Sequence, residues 1–302
     1  MPRWISWTLL TLVSWGVWAI LFRAIGDEMT PAQSQAVSTL GVLPVLVALC
    51  LMKDPAGTVN HRRGILLALA SGILSCLGNI ACYEALKHGK AATIVPLTAL
   101  YPVVTVLLAV PILKERLSAV QWAGIGLSLS AIYLFNPTEA AAEGGGWTSQ
   151  WLLLPLAAIV LWGITGLLQK AATNEVTARV TAIWFLAAFI PVGAVILMSG
   201  PLPSEADSRA WLLTILLGFT LALGNYTLMQ AFACGGKASI IAALGGLYPL
   251  VSIPIALAAF HERLGWREAS GVVLALVAVL LLSLQSDSPT VTPATLDTDV
   301  SI

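Results

Sequence analysis

The segment LYPVVTVLLAVPILKERL, Leu100–Leu117, returns later in the chain as LYPLVSIPIALAAFHERL, Leu247–Leu264. From Tyr101 to Tyr248 and from Glu115 to Glu262 the step is the same, 147 positions. That step also carries Trp15-Gly16 onto Trp162-Gly163, Arg23 onto Lys170, Pro44 onto Pro191, Gly89-Lys90 onto Gly236-Lys237 and Gly124 onto Gly271. A period this long is far above solenoid repeats, so the chain reads as two copies of one half.

Each half is built of membrane-spanning segments. Of the 302 residues 58% are apolar and 10% charged, against about 25% charged in ordinary globular chains, and the mean hydropathy is +0.89. The charges are segregated. Uncharged runs extend over Trp4–Phe22, Ala32–Met52, Gly64–Tyr83, Ala91–Leu113 and Ser118–Thr138, and then over Gly144–Gln169, Val180–Ser204, Ala210–Gly236, Ala238–Phe260 and Ala269–Ser286. A helix needs roughly 20 apolar residues to cross the hydrocarbon core, so the pattern predicts ten transmembrane helices, five per half. The ten-residue alternating segments of a closed barrel are absent. The first apolar run exceeds a signal-peptide core, is followed by no small-residue cleavage site, and is expected to be retained.

An odd number of helices per half gives the duplication a physical meaning. A half that begins on one side of the bilayer ends on the other, so the second copy is inverted relative to the first. Inverted repeats recur in secondary transporters, where the halves exchange conformations around a site near the midplane. With a cytoplasmic N-terminus the inner side holds nine basic residues (Arg3, Lys53, Arg62, Arg63, Lys114, Arg116, Lys170, Arg179, Lys237) and the outer side six (Arg23, Lys87, Lys90, Arg209, Arg263, Arg267). The balance predicts both termini in the cytoplasm.

Trp4, Trp7, Trp147, Trp151, Trp211 and Trp266 fall at helix ends, where an indole suits the headgroup zone. Trp15, Trp18, Trp162 and Trp184 fall deeper. Their N–H groups need partners, either across a packed helix interface or in a cavity wall. The third helix carries Asn79, Tyr83 and Glu84, and the eighth carries Asn225, Tyr226 and Gln230. Asn79 and Tyr83 share a helix face, as do Tyr226 and Gln230. Such polar faces line a solute path or act as interhelical glue. Glu84 is the acidic residue that the repeat places within a span; it is a structural partner for Arg23 or a proton-coupling carboxylate. Tyr-Pro in mid-span predicts kinks at Pro102 and Pro249, with a further bend at Pro96, and kinks can serve as gates.

Taken together, Asn79 to Tyr133, with Ala85-Leu86, Gly89-Lys90-Ala91-Ala92, Tyr101-Pro102, Glu115-Arg116-Leu117 and Gly124, resembles an EamA domain of the drug/metabolite transporter superfamily. Asn225 through Gly271 resembles it again. The resemblance covers about residues 4–285. It implies an all-α integral membrane fold of two inverted five-helix repeats and a central cavity lined by helices one, three, four, six, eight and nine. It also implies a carrier of small polar or amphipathic metabolites, commonly an exporter or a proton-linked one. A lipid-linked sugar flippase on the same scaffold and a polytopic membrane enzyme are the alternatives. The Glu-Arg-Leu motif is expected to be structural, with its acid at the entry to helices five and ten.

The expected organisation is a first repeat over 4–136, a linker over 137–150, a second repeat over 151–285 and a disordered tail over 286–302, both latter segments polar and low in aromatics. Cys50, Cys76, Cys82 and Cys234 read as small core residues. His61, His88 and His261 form no metal-spaced pair, and no Walker A sequence is present. No cofactor, metal or nucleic-acid partner is expected; the partners are a small-molecule metabolite, the lipid bilayer and protons as the candidate coupling ion. The candidate substrate-binding residues are Trp15, Trp18, Asn79, Tyr83, Thr98, Tyr101, Trp162, Gln169, Asn225, Tyr226, Gln230 and Tyr248. Glu84 is the candidate for proton coupling, and Pro96, Pro102 and Pro249 are candidates for gating. The expected location is the inner or plasma membrane, crossed many times.

Overall fold

A computed structural model describes residues 3–52, 61–113, 117–135, 150–200, 203–234 and 245–284. The linker up to residue 149, the tail from residue 285, Glu115, Arg116, Gly236 and Lys237 lie outside the described residues. Every described element is helical: α1 (Arg3–Ile25), α2 (Pro31–Leu51), α3 (His61–His88), α4 (Ala91–Thr98), α5 (Pro102–Leu113), α6 (Ala119–Phe135), α7 (Gln150–Glu175), α8 (Ala178–Ala187), α9 (Phe189–Ser199), α10 (Ser208–Ala233), α11 (Pro249–Ala259) and α12 (Trp266–Ser283). Seven helical segments are long and apolar enough to cross a bilayer, and α6 and α11 are shorter apolar helices. Each of the ten uncharged runs carries one or two of these helices.

Local chemistry at the helix starts repeats with the 147-residue step. Thr30 caps α2: its hydroxyl accepts from Gln33 N at 3.1 Å while Gln33 Oε1 accepts from Thr30 N at 2.9 Å. Its counterpart Thr177 caps α8 by accepting from Val180 N at 3.3 Å. Ser118 and Gln121 form the same reciprocal box at α6, and at the equivalent start of α12 Glu268 accepts from Gly265 N at 2.8 Å. Orphan N–H groups at helix starts are thereby satisfied inside the chain, as an apolar medium requires.

Pro102 and Pro249 behave differently from a mid-helix kink. The fourth span is divided into α4 and α5, with a turn at Ala99–Tyr101 between them. Pro102 is the first residue of α5 and Pro249 the first of α11, where a missing N–H costs nothing and the fixed φ suits the helix. Pro96 lies within α4 and is buried. The Pro44 and Pro191 pair diverges: α2 runs unbroken through Pro44, whereas the seventh span is interrupted at Ala188.

The main packed surfaces run between the repeats rather than within them: α1 against α10, its counterpart α3 against α7, and α6 against α12. Glycine permits close approach at further crossings, α1 with α11, α7 with α5, α10 with α2 and α3 with α8. A Cβ at Gly16 would lie 2.5 Å from Val251 Cβ, and at Gly163 2.5 Å from Val104 Cβ, the equivalent contact. Gly218 lies against the Ser38 backbone, and its counterpart Gly72 against that of Phe185. Close backbone approach of this kind supports helix association where lipid is as apolar as the side chains. The outer flanks of the helices expose Val47, Leu129, Val195 and Met198, as a lipid-facing surface would.

Trp184 is 36% exposed and faces this flank rather than the core expected for it, because α8 turns its other face, with Phe185 and Leu186, inward. Cys76 and Cys82 are buried as expected, but Cys50 and Cys234 are exposed, since both fall at helix ends where the bundle opens.

Candidate functional site

The middle of the bundle is an aromatic lattice built where the turn at Ala99–Tyr101 in the fourth span and the turn at Leu247–Tyr248 in the ninth meet the long helices. Tyr101 closes the α4–α5 turn and meets Trp162 of α7 edge-on, with centroids 6.3 Å apart and planes at 86°. Tyr248 precedes α11 and meets Trp15 of α1 at 6.2 Å and 82°. These two pairs are exchanged by the repeat, Trp15 for Trp162 and Tyr248 for Tyr101. Each indole lies over a glycine of a third helix: Trp162 over Gly78 of α3, and Trp15 over Gly224 of α10. Only glycine leaves room for a ring at that distance from the helix axis.

Trp18, one turn beyond Trp15, ties the lattice together. Its ring lies 5.6 Å from that of Trp162, and its Nε1 donates to Tyr83 Oη at 3.1 Å. Tyr83 is 1% exposed and stacks on Phe22 at 4.5 Å with planes 9° apart. Asn79, one turn before Tyr83, accepts from Trp162 Nε1 at 3.2 Å through its Oδ1. Thr98, buried at the end of α4, donates to the carbonyls of Ile94 and Val95 and faces the Tyr248 hydroxyl and the Cys82 thiol. Thus Trp15, Trp18, Asn79, Tyr83, Thr98, Tyr101, Trp162 and Tyr248 come together in one region that spans both repeats.

The other candidates lie elsewhere. Tyr226 meets Trp7 edge-on at 6.2 Å and its hydroxyl donates to Met52 Sδ at 3.6 Å, with Gln230 and Arg179 beside it. Trp7 opens α1, Met52 follows α2 and Arg179 opens α8, so this group occupies one end of the bundle. Gln169 is half-buried in α7, seven residues past Trp162 and so about 10 Å along the axis. Asn225 is buried beneath the lattice, but its Nδ2 donates to Leu221 O of its own helix at 2.9 Å.

Glu84 is not the partner of Arg23. It pairs with His88 at 3.1 Å and its side chain is 35% exposed. Arg23 instead donates from Nη1 to Leu86 O at 3.0 Å, and its ion-pair partner is Glu262, whose side chain is 6% exposed and lies 3.9 Å from Arg23 Nε. Its Oε1 and Oε2 accept from Ala91 N at 2.9 Å and Ala92 N at 2.8 Å. The acid of the second Glu-Arg-Leu motif therefore caps α4 of the first repeat rather than the helix that follows it. An anion at a helix N-terminus satisfies orphan amides and the helix dipole together. Beside it Lys90 Nζ donates to Glu268 at 2.9 Å and to Arg263 O at 2.9 Å, so the α4 start is fastened to the segment between α11 and α12.

One participant, Phe22, has no signature in the sequence, and Tyr83 is marked only by its helical spacing from Asn79. The repeat counterpart of Phe22 is Gln169 and that of Tyr83 is Met229, so the Trp18–Tyr83–Phe22 group belongs to the first repeat alone and no internal echo points to it. Gly78 and Gly224, by contrast, precede the matched pair Asn79 and Asn225 and were open to reading. Among the described residues no group of His, Cys, Asp and Glu is placed to hold a metal ion.

This arrangement, one aromatic-on-glycine unit per repeat meeting at these turns, accords with what the chain is similar to. The sequence pattern of the EamA-like transporter family matches it twice, over residues 2–136 and 149–284. The chain belongs to the EamA-like transporter family. Among curated relatives, an uncharacterized transporter of Bacillus subtilis is 25% identical over 289 residues, covering 91% of this chain and 90% of that one. An uncharacterized transporter of Archaeoglobus fulgidus is 20% identical over 282 residues, covering 92% and 96%. A riboflavin transporter of Rhizobium johnstonii is 26% identical over 171 residues, 56% of this chain and 54% of its own length. A crystal structure superimposes with a TM-score of 0.63 at 18% identity, over 92% of this chain and 98% of that one, a likeness of fold. The EamA membership makes this a membrane transporter with an all-helical, two-repeat architecture.

Proposed function

We propose that this EamA protein is a secondary transporter that moves a small polar or amphipathic, ring-bearing metabolite through the seam between its repeats by alternating access. One observation carries this reading: the matched Trp15–Tyr248 and Trp162–Tyr101 pairs lie at the turns that precede Pro102 and Pro249, and among the described residues no charged side chain is in ring contact or hydrogen-bonded with them. Discontinuous helices near the midplane at a repeat interface are where carriers of inverted-repeat design bind solute. A neutral aromatic wall favours flat rings through stacking and edge contacts. It offers little to compensate a desolvated charge. The riboflavin transporter among the relatives is consistent with a ring-bearing solute, and export or proton-linked exchange across the plasma membrane, with both termini cytoplasmic, is the proposed mode.

The test is a thermal-shift panel on the detergent-purified full chain with riboflavin, nucleobases, aromatic amino acids and simple sugars. A ligand of the folded state at 100 times its dissociation constant adds about 2.7 kcal/mol of apparent stability. Each hit is then followed by counterflow into sealed liposomes, with and without a pH gradient. Ring-bearing solutes should stabilise the protein and exchange. Stabilisation by sugars alone would refute the aromatic site, and protein-independent flux would refute transport.

A further inference from the structure

The two aromatic units are matched in sequence but not in hydrogen bonding. Trp162 Nε1 donates to Asn79 Oδ1 at 3.2 Å. In the other unit Trp15 Nε1 is buried and has no hydrogen-bond partner among the described residues. The acceptor that the repeat matches to it is Asn225, which follows the glycine under its ring. A Cβ at Gly224 would lie 2.5 Å from Trp15 Nε1, just as one at Gly78 would lie 2.5 Å from Trp162 Nε1, and Asn225 follows Gly224 as Asn79 follows Gly78. What differs is the side chain of Asn225, whose Nδ2 is held by Leu221 O, four residues back in its own helix. A buried indole N–H without an acceptor is costly, and the residue that the repeat matches to its acceptor spends its amide N–H within its own helix. Asn79 has a matching carbonyl four residues back, that of Ser75, and its own Nδ2 is buried without a partner.

We propose that these two units form a reciprocal switch. In the state described, Trp162–Asn79 is made and Trp15–Asn225 is broken. In the opposite state Trp15 donates to Asn225 Oδ1, while Asn79 turns to the Ser75 carbonyl and releases Trp162. This deepens the alternating-access reading and rests on it: inverted halves that exchange conformations exchange these bonds with them. Because α1 packs on α10 and α7 on α3, each bond fastens one repeat to the other. Making one while breaking the other leaves the hydrogen-bond count of the two states equal, so neither is strongly favoured without solute. Trp15, Trp162, Asn79 and Asn225 are thus positioning residues that set which state the empty carrier occupies.

The test uses Cys82, buried in the lattice beside Thr98 and Tyr248, as a reporter in the full chain with Cys50, Cys76 and Cys234 replaced by Ser. Cells or sealed vesicles are labelled with a membrane-impermeant thiosulfonate from the outside and, in inverted vesicles, from the inside. Trp162→Phe and Trp15→Phe keep the rings but remove the N–H groups. They should move the outside-to-inside labelling ratio in opposite directions, each by about fivefold, the factor for a membrane hydrogen bond of about 1 kcal/mol. The double variant should return towards the parent ratio. Asn79→Ala and Asn225→Ala remove the acceptors instead and should reproduce the same two directions, which guards against a misfolded Trp variant. Shifts in one common direction, or a ratio that no substitution changes, including no labelling at all, overturn the switch. Failure of transport itself is read separately: counterflow that is absent while the opposite shifts persist refutes the carrier and leaves the switch.

Discussion

Glu262→Gln should loosen the junction between the repeats at the start of α4, and its cost can be worked from the geometry. The carboxylate divides its two oxygens between Ala91 N and Ala92 N, at 2.9 and 2.8 Å. Glutamine keeps one acceptor, so one amide stays capped. Its NH₂ group then confronts the other amide, donor against donor, and that N–H is left unsatisfied at a site where the side chain is 6% exposed. A hydrogen bond to a charged group contributes about 1.5–3 kcal/mol and an unsatisfied buried amide costs about 1–3 kcal/mol. Arg23 adds little, since its side chain is 38% exposed and water screens the pair. A loss of about 2–4 kcal/mol results. The assay is the apparent melting temperature of the purified full chain in detergent, where 1 kcal/mol corresponds to about 2–4 °C in a chain of about 150–250 residues, so a fall of about 5–15 °C is expected. The control is Glu84→Gln, which removes a partly exposed partner of His88 and should shift melting by no more than about 4 °C, since exposed pairs contribute about 0–1 kcal/mol. Parent-like melting of Glu262→Gln, or a larger fall for Glu84→Gln, would refute the cap.

Gly163→Ala drives a Cβ to within 2.5 Å of Val104 Cβ; overpacking of this kind costs about 1–3 kcal/mol, and Val104→Ala in the same chain should restore the melting temperature. Tyr101→Ala should reduce counterflow of whichever solute the panel identifies at least tenfold with folded yield intact, whereas Tyr226→Ala, at the end of the bundle, should reduce it less than threefold; a tenfold loss at about 1.4 kcal/mol is the size of one aromatic contact. Glu84→Gln should leave the response of counterflow to an imposed pH gradient unchanged, because Glu84 pairs with His88 outside the lattice; loss of that response would return Glu84 to the coupling role.

How far the site could be read from the chain is clearest in individual residues. Tyr101 with Trp162, and Tyr248 with Trp15, were legible because two copies of one sequence must place equivalent residues in equivalent surroundings. Asn79 and Tyr83 were legible because residues four apart on a helix share a face. The same rule misplaced Tyr226 and Gln230: they do share a face, but α10 turns it towards Trp7 and Met52 rather than the lattice. Helical spacing says which residues look the same way; it does not say at what.

The amino-acid sequence alone determined the membrane class and the two copies, since apolar length, charge segregation and internal repetition are properties of the linear chain. It also marked the proline positions, because proline acts on its own backbone. Only the tertiary structure decided which Glu pairs with Arg23, that the Glu262 carboxylate caps a helix of the other repeat, and that Trp162 has an acceptor while Trp15 lacks one. Those depend on side-chain rotamers and on contacts between residues far apart in the chain, 83 positions for Trp162 with Asn79 and 171 for Glu262 with Ala91. Matched sequences can adopt unmatched side-chain arrangements, as Asn79 and Asn225 do.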